Sequence, residues 1–495
     1  MTVTFRRRAD NLILRWQGRL DSPASDRFLP WSVAAALFLV LALLSLAQAR
    51  SLIGTSDLAA YTQASWLIRH GHDPVTTVTS GTNVFAQQGA FAFWPMAQLS
   101  RTIPAIPLLL TIQSLALALT VVPLWRVARR LANLRAGSAL IVLLVFAVYP
   151  IVQTLNLDGF HPETVALPFL VGAAYFGLSQ HWRRFALCAV IAVACRADLG
   201  LAIAGLGLLL VVQGHRARGT ITAVAGTVWA LGFLFVLQPH IGHVGVTQLG
   251  AYAAYGHSPL SVAWGMLVHP GRVLGNVFNR DNFRLMVYLF APVLFLPFLS
   301  PRYLLPVVPL QIVYLAGNVS QATRYGPQAV AITAFIFLAT PMGLARLGRR
   351  SVEKVTVDRR VLITVLLACL SFYVLIAPST PYAKPWDWGG QDAVDGARLA
   401  ARDSVSADAA VRASPSMLML LAQRQALYPL DADTMRNPTR AAAAATRGVD
   451  VVVVDRHDLG QVPVATEEAF EAAVLKLGFD TSSDDLGVVV LTRKN

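Results

Sequence analysis

With 495 residues, 55% of them hydrophobic and only 14% charged, the chain is too apolar for a soluble protein, and its apolar runs recur at the length of a membrane span. The net charge of +14 does not point to nucleic acid, because residues 1–377 hold 29 Lys/Arg against 11 Asp/Glu whereas residues 378–495 hold 12 against 16. The basic excess belongs to the membrane part, where loop charge sets orientation.

Residues 1–30 are polar and Arg-rich and read as a cytoplasmic segment. No small-residue cleavage site follows Arg6-Arg7-Arg8, so the first span is expected to stay as a signal anchor. The membrane domain, 31–377, contains about eleven apolar segments, at 31–49, 104–125, 136–155, 163–179, 184–197, 199–213, 220–238, 286–300, 303–317, 326–345 and 360–377. Four of these (184–197, 199–213, 286–300 and 303–317) are only about 15 residues long, which predicts broken, tilted or re-entrant passages. Long external loops are expected at 50–103 and 239–285. Cys188, Cys195 and Cys369 fall within or at the ends of apolar segments without CxxC or Cys/His spacing, and read as small core residues.

Charge orders these pieces. With the N-terminus inside, the cytoplasmic pieces hold 21 Lys/Arg and the longer external loops of the membrane part hold eight. This is the positive-inside pattern, and an odd number of spans then places the C-terminal segment outside, with the protein in the plasma membrane. The acids run the other way. Asp57, Asp73, Asp158, Glu163, Asp198 and Asp281 all fall in external loops or at outer span ends, and acids at a bilayer face are costly without a partner or a task.

Four stretches carry candidate chemistry. Thr55-Ser56-Asp57 opens an external helix; either Ser56 caps it and Asp57 complements its dipole, or Asp57 is a general base with Tyr61 and Ser65 on the same face. The turn Asn156 to Glu163 needs helix-start residues, which explains Asp158, Pro162 and Glu163 but not His161. Asp57, Asp158 and His161 are candidate ligands for a divalent metal such as Mg or Mn. Arg196-Ala197-Asp198 interrupts an apolar stretch, as a structural salt bridge or as part of a cavity in which the Arg196 fork would hold a phosphate. Arg324-Tyr325 offers a cation and a phenol at another external turn. Arg280, Arg284 and the histidines of loop 239–285 (His240, His243, His257, His269) are further phosphate-site candidates.

Residues 378–495 read as a small extracytoplasmic α/β domain behind the Pro-rich linker Pro378 to Trp388. Ala410–Ala413, Asp450–Asp455 and Gly487–Thr492 are expected strands and Glu467–Leu477 an amphipathic helix. The cluster Asp455-Arg456-His457-Asp458 is a polar strand-end turn or a site, and no nucleotide fingerprint occurs in the domain.

The order of Asp-Leu, Tyr, Gln and Trp in Asp57 to Trp66, then Asp158-Gly-Phe-His161-Pro162, then Arg196-Ala-Asp198 resembles a prokaryotic family of predicted polytopic membrane proteins of unknown function. That family is placed near the GT-C glycosyltransferases. The resemblance runs over residues 50 to 345, and its most specific piece is the Phe-His-Pro turn. The chain departs from the pattern where the family has Lys-Glu-Asp against Arg196-Ala197-Asp198, and His-Tyr against Arg324-Tyr325; the missing Glu and His weaken a metal at those positions. The resemblance implies a GT-C-like membrane fold, a polyprenyl-phosphate-linked sugar donor, inverting transfer to a glycan, lipid or protein acceptor, and a catalytic acid in the first external loop, the position of Asp57. With the residue reading above, the expected catalytic residues are Asp57, Asp158 and His161, and the expected substrate-binding ones Tyr61, Gln63, Trp66, Glu163, Arg196, Asp198, Arg324 and Tyr325. Two other readings stay open: a transporter of lipid-linked sugar or polysaccharide, and a non-catalytic cell-envelope assembly subunit.

Overall fold

The computed structural model describes residues 21–79, 81–242, 249–317, 326–351, 354–382, 389–430, 437–459 and 463–494. Arg324, Tyr325, His243 and most of the linker lie outside the described residues.

The membrane part is mainly helical, with two short antiparallel ribbons that pair Val75–Thr76 with Thr82–Asn83 and Arg349–Ser351 with Lys354–Thr356. Helix α1 (Pro23–Arg50) starts where Ser22 accepts from the Ser25 amide and Pro23 supplies a preset φ, with Asp26 in its positive first turn. The largely buried helix α2 (Ser56–Arg69) follows, and then α3 (Ala105–Leu131), whose last turn, Val127–Leu131, is π-helical. Helices α4 (Ala136–Ala147) and α5 (Pro150–Leu157) are one apolar run bent by 44° at Pro150, because proline cannot donate into the turn before it. Among the described residues, five helices are long and apolar enough to cross a membrane, α1 and α3 among them, or six if the bent pair counts as one span. These long helices are fewer than the eleven expected spans, a count they leave unconfirmed, and the eleven apolar segments are helical in whole or in large part.

The shortfall falls where the segments are short. Helices α6 (Pro162–Leu178), α7 (Trp182–Cys195) and α8 (Leu199–Val212) are 17 residues or fewer. Between Arg280–Phe290 and Val308–Ala316 the chain runs as three 3-10 segments, with Leu294 and Phe295 at positive φ. Pro292, Pro297, Pro301 and Pro306 recur there every four or five residues, and each removes a donor that a continuous helix would need.

The bundle has two chemically different ends. At one, the Arg129 guanidinium donates to Asp21 and Asp26, Lys354 reaches the Arg129 carbonyl, and the Arg135 amide bonds the Val355 carbonyl. Three of the segments predicted to be cytoplasmic, 1–30, 126–135 and 346–360, therefore meet there. At the other lie α2, the turn Asp158–His161, the Arg196–Asp198 break and the C-terminal domain.

That domain holds a five-stranded sheet of β1 (Val411–Ala413), β2 (Leu427–Pro429), β3 (Val451–Asp455), β4 (Phe479–Asp485) and β5 (Val488–Arg493), in the order β2-β1-β3-β5-β4. The first three strands are parallel and the last two pairings antiparallel. The expected strands and helix form, the helix as Val464–Lys476, whereas β2 and the largely exposed β4 were not foreseen. Asp455, fully buried at the end of β3, accepts from Arg398, Ser416 and the His457 amide, so this cluster closes a strand end. Helix Pro415–Leu421 seats on α2, with Met419 against Gly54 where no Cβ would fit.

Candidate active site

The site begins with the cap of α2. Thr55, not Ser56, accepts the Leu58 amide (3.2 Å), so Asp57 is spared from capping and points outward from the first turn with 55% of its side chain exposed. The turn after α5 is pressed against this cap. Gly159 has φ +83°, and a Cβ there would stand 2.1 Å from Thr55 Oγ1, so both the conformation and the contact require glycine.

Gln113, fully buried in α3, fixes the same turn from below. Its amide nitrogen donates to the Leu155 and Gly159 carbonyls (2.7 and 2.6 Å) and its oxygen accepts the His161 amide (2.8 Å). Nothing in the sequence reading singled out Gln113; its signal was an uncharged polar side chain inside an apolar span.

His161 lies between two carboxylates. Its Nε2 donates to the Asp158 carbonyl (2.8 Å) and stands 3.5 Å from Asp158 Oδ2, while Nδ1 is 3.9 Å from Asp57 Oδ2. Burial alone would discharge this imidazole. The hydrogen bond to Asp158 and the charges of Glu163, Asp57 and Asp158 outweigh it and push its pKa up to about 9. Asp57 is raised above the ordinary carboxylate value, chiefly by desolvation against the charge of His161, with Glu163 and Asp158 adding to the rise.

Behind this mouth lies a closed ionic layer. Arg196 adopts an extended conformation between α7 and α8, is 4% exposed, and donates Nη1 to Glu163 Oε1 (2.7 Å) and Nε to the Asp198 carboxylate (3.0 Å). Asp198 also accepts the Tyr314 hydroxyl (2.6 Å), and the Arg196 guanidinium sits 5.9 Å from the Tyr314 ring centre. Tyr314 too was not foreseen. Two carboxylates thus pair with the Arg196 guanidinium through Nη1 and Nε, the arrangement of the salt-bridge reading of this stretch.

The other expected residues divide by helical phase. Tyr61, one turn after Asp57, is buried with its ring edge-on to Phe93 and Phe160 beside the site. Gln63 and Trp66 lie off the face of Asp57, because six and nine positions of 100° carry them to other faces of α2. Gln63 instead bonds Thr77, the Arg424 and Gln425 carbonyls and the Val78 amide, joining α2 to the C-terminal domain. Trp66 stacks on His70 and His72. Ser65 bonds back to the Tyr61 carbonyl rather than orienting anything in the site. Arg284 pairs with Asp281 on an exposed helix face.

A divalent metal does not fit the donors as they stand. Asp57 and Asp158 approach opposite nitrogens of one imidazole rather than a common point, and among the described residues no three His, Cys, Asp or Glu groups could hold an ion. The arrangement is a carboxylate oriented by an imidazolium, suited to taking a proton from a hydroxyl at its exposed oxygen.

The family described as Predicted membrane protein (DUF2079) matches residues 48–490. Among solved structures, ArnT from Cupriavidus metallidurans bound to undecaprenyl phosphate superposes with a TM-score of 0.53 at 12% identity, covering 95% of this chain and 98% of that one. The archaeal oligosaccharyltransferase AglB from Archaeoglobus fulgidus, in complex with an inhibitory peptide and a dolichol-phosphate, gives 0.48 at 12% identity, covering 95% and 74%. No curated protein matches the chain.

Proposed function

The chain belongs to the DUF2079 family of predicted membrane proteins, and from that premise we propose that it is an extracytoplasmic glycosyltransferase of GT-C type. It would transfer a sugar from a polyprenyl-phosphate donor, with inversion, to a glycan, lipid or protein acceptor of the cell envelope. The observation that carries this reading is the Asp57–His161–Asp158 arrangement at the acidic end of the bundle: a half-exposed carboxylate, freed from capping and held against a buried imidazolium. The fold likeness to ArnT, solved with undecaprenyl phosphate, supports a donor of that class.

In this reading Asp57 takes the proton of the acceptor hydroxyl as its oxygen attacks the anomeric carbon, and the bond from that carbon to the lipid phosphate breaks. The lone pair leaves with the phosphate. His161 orients Asp57 and offsets the negative charge of the mouth, Asp158 and Gln113 hold His161, and the Glu163–Arg196–Asp198–Tyr314 layer keeps the break between α7 and α8 in place. Arg324 is proposed as the phosphate cation, because Arg196 is already paired. The N-terminus is then cytoplasmic and the C-terminal domain, bound to α2, helps to hold the acceptor.

The pairing of Arg196 with two acids gives the assembly-subunit reading its one specific observation. The transporter reading calls for charged groups reachable from both faces, and the unabsorbed acids collect at one end. Purified wild-type and Asp57→Asn protein, given a panel of polyprenyl-phosphate sugars and an envelope-fraction acceptor, separate these. Transfer by the wild type and its loss by about 10²–10⁴-fold in the variant is the expected result; equal transfer by both removes Asp57 as the base.

A further inference from the structure

A second cavity, of about 340 Å³, opens at the basic end of the bundle between the start of α1 and the end of α3. Four guanidinium groups line it, Arg27, Arg126, Arg129 and Arg130, against one carboxylate, Asp26. Arg129 is spent on the fold: it is 3% exposed and pairs with Asp21 and Asp26. Arg27, Arg126 and Arg130 form no salt bridge among the described residues, and Arg130 donates only a long bond to the Tyr175 hydroxyl (3.3 Å).

Trp125 lines the same cavity and is 2% exposed. The π-helical turn that follows, Val127–Leu131, departs from α-helical winding where Arg129 and Arg130 are presented, and such turns are frequent at functional sites.

We propose that this cavity, with four guanidinium groups against one carboxylate, binds the phosphate of an anionic membrane lipid headgroup, at a site separate from the acidic end. Three guanidinium groups match phosphate oxygens in number and in forked geometry. A lipid rather than a free ion is favoured by the wall of the cavity. Trp31, 52% exposed, stands there with Pro30 and Val122 at the beginning of a span, which is where tryptophan meets the headgroup layer.

The test uses the full-length protein in neutral detergent, with thermal unfolding followed against dioctanoyl phosphatidylglycerol, dioctanoyl phosphatidylcholine and inorganic phosphate. Phosphatidylglycerol is expected to raise the Tm of the wild type saturably, with the other two much weaker. In the Arg126→Gln/Arg130→Gln variant the half-saturating concentration is expected to rise at least about ten-fold. Trp125→Phe, which keeps the ring and removes an indole N–H closed off from the cavity, should leave the half-saturating concentration unchanged. Equal stabilisation by inorganic phosphate would assign the site to a soluble phosphate and overturn the lipid source. No stabilisation by phosphatidylglycerol, or one unchanged in the Arg126→Gln/Arg130→Gln variant, would overturn the site.

Discussion

Charge at single residues decides what this site can do. His161 is held protonated by Asp158, Asp57 and Glu163 up to about pH 9, and Asp57 titrates above its ordinary value of 3.8. The transfer rate is therefore expected to be bell-shaped in pH, falling on the acid side as Asp57 gains a proton and on the alkaline side as His161 loses one. His161→Asn should remove the alkaline limb near 9, which a rate–pH profile of the two proteins reads directly. Stability carries the same sign. Because the folded-state value exceeds the ordinary 6.5, the contribution of His161 is complete below about 6.5 and is lost as pH rises through about 9. Arg196 acts differently. Arg196→Leu leaves Glu163 and Asp198 without their cation, and a loss of about 3–5 kcal/mol, read as a lowered Tm, is expected. The acids and His161 were legible in the sequence because a charged group beside an apolar span stands out. The fate of the Arg196 fork was not, since it depends on Glu163, 33 positions away, and on Tyr314, beyond any local pattern, holding Asp198.

Elements bring those residues together, and here legibility depends on which periodicity was visible. The start of α2, the Phe-His-Pro turn and the charged break after α7 are local signals, and each lies where the sequence placed it. The faces of α2 are not local: Gln63 and Trp66 stand in the same short motif as Asp57 yet turn away from it, one into the C-terminal domain and one onto His70 and His72. Hydropathy registers apolar segments alike whether or not prolines break their hydrogen bonding, as between Phe290 and Val308, so it marked the segments without separating long helices from broken ones. Two substitutions test the element contacts. Gly159→Ala adds a Cβ in collision with Thr55 and strains a positive φ, and is expected to displace His161 and lower both Tm and transfer. Gln63→Ala leaves the Arg424 and Gln425 carbonyls and the Val78 amide short of a partner. Hydrogen exchange of Val78 and the helix Pro415–Leu421 should rise while the pH profile of the reaction stays unchanged.

The whole molecule separates its charges by end. Arg129 with Asp21 and Asp26, the arginine-lined cavity and the 349–356 ribbon occupy one end; the Asp57–His161–Asp158 arrangement, the Arg196 layer and the C-terminal domain occupy the other. Cysteines introduced at Asp73 and Asp403 are therefore expected to react with an impermeant maleimide from one side of the membrane, and one at Arg360 only from the opposite side. The positive-inside count foresaw this separation, because loop charge is conserved by topology whatever the individual helices do. The docking of the C-terminal domain onto α2 was not foreseen, since its contacts join residues some 350 positions apart, as in Thr77 with Leu427. The central claim is that lipid-phosphate sugar chemistry takes place at the acidic end. A structure of the full-length protein with an undecaprenyl-phosphate sugar tests it most directly. The anomeric carbon is expected within reach of an acceptor hydroxyl bonded to Asp57, with the lipid tail running between the helices. A lipid phosphate found only in the arginine-lined cavity at the opposite end, with the Asp57 mouth solvent-filled, would contradict it.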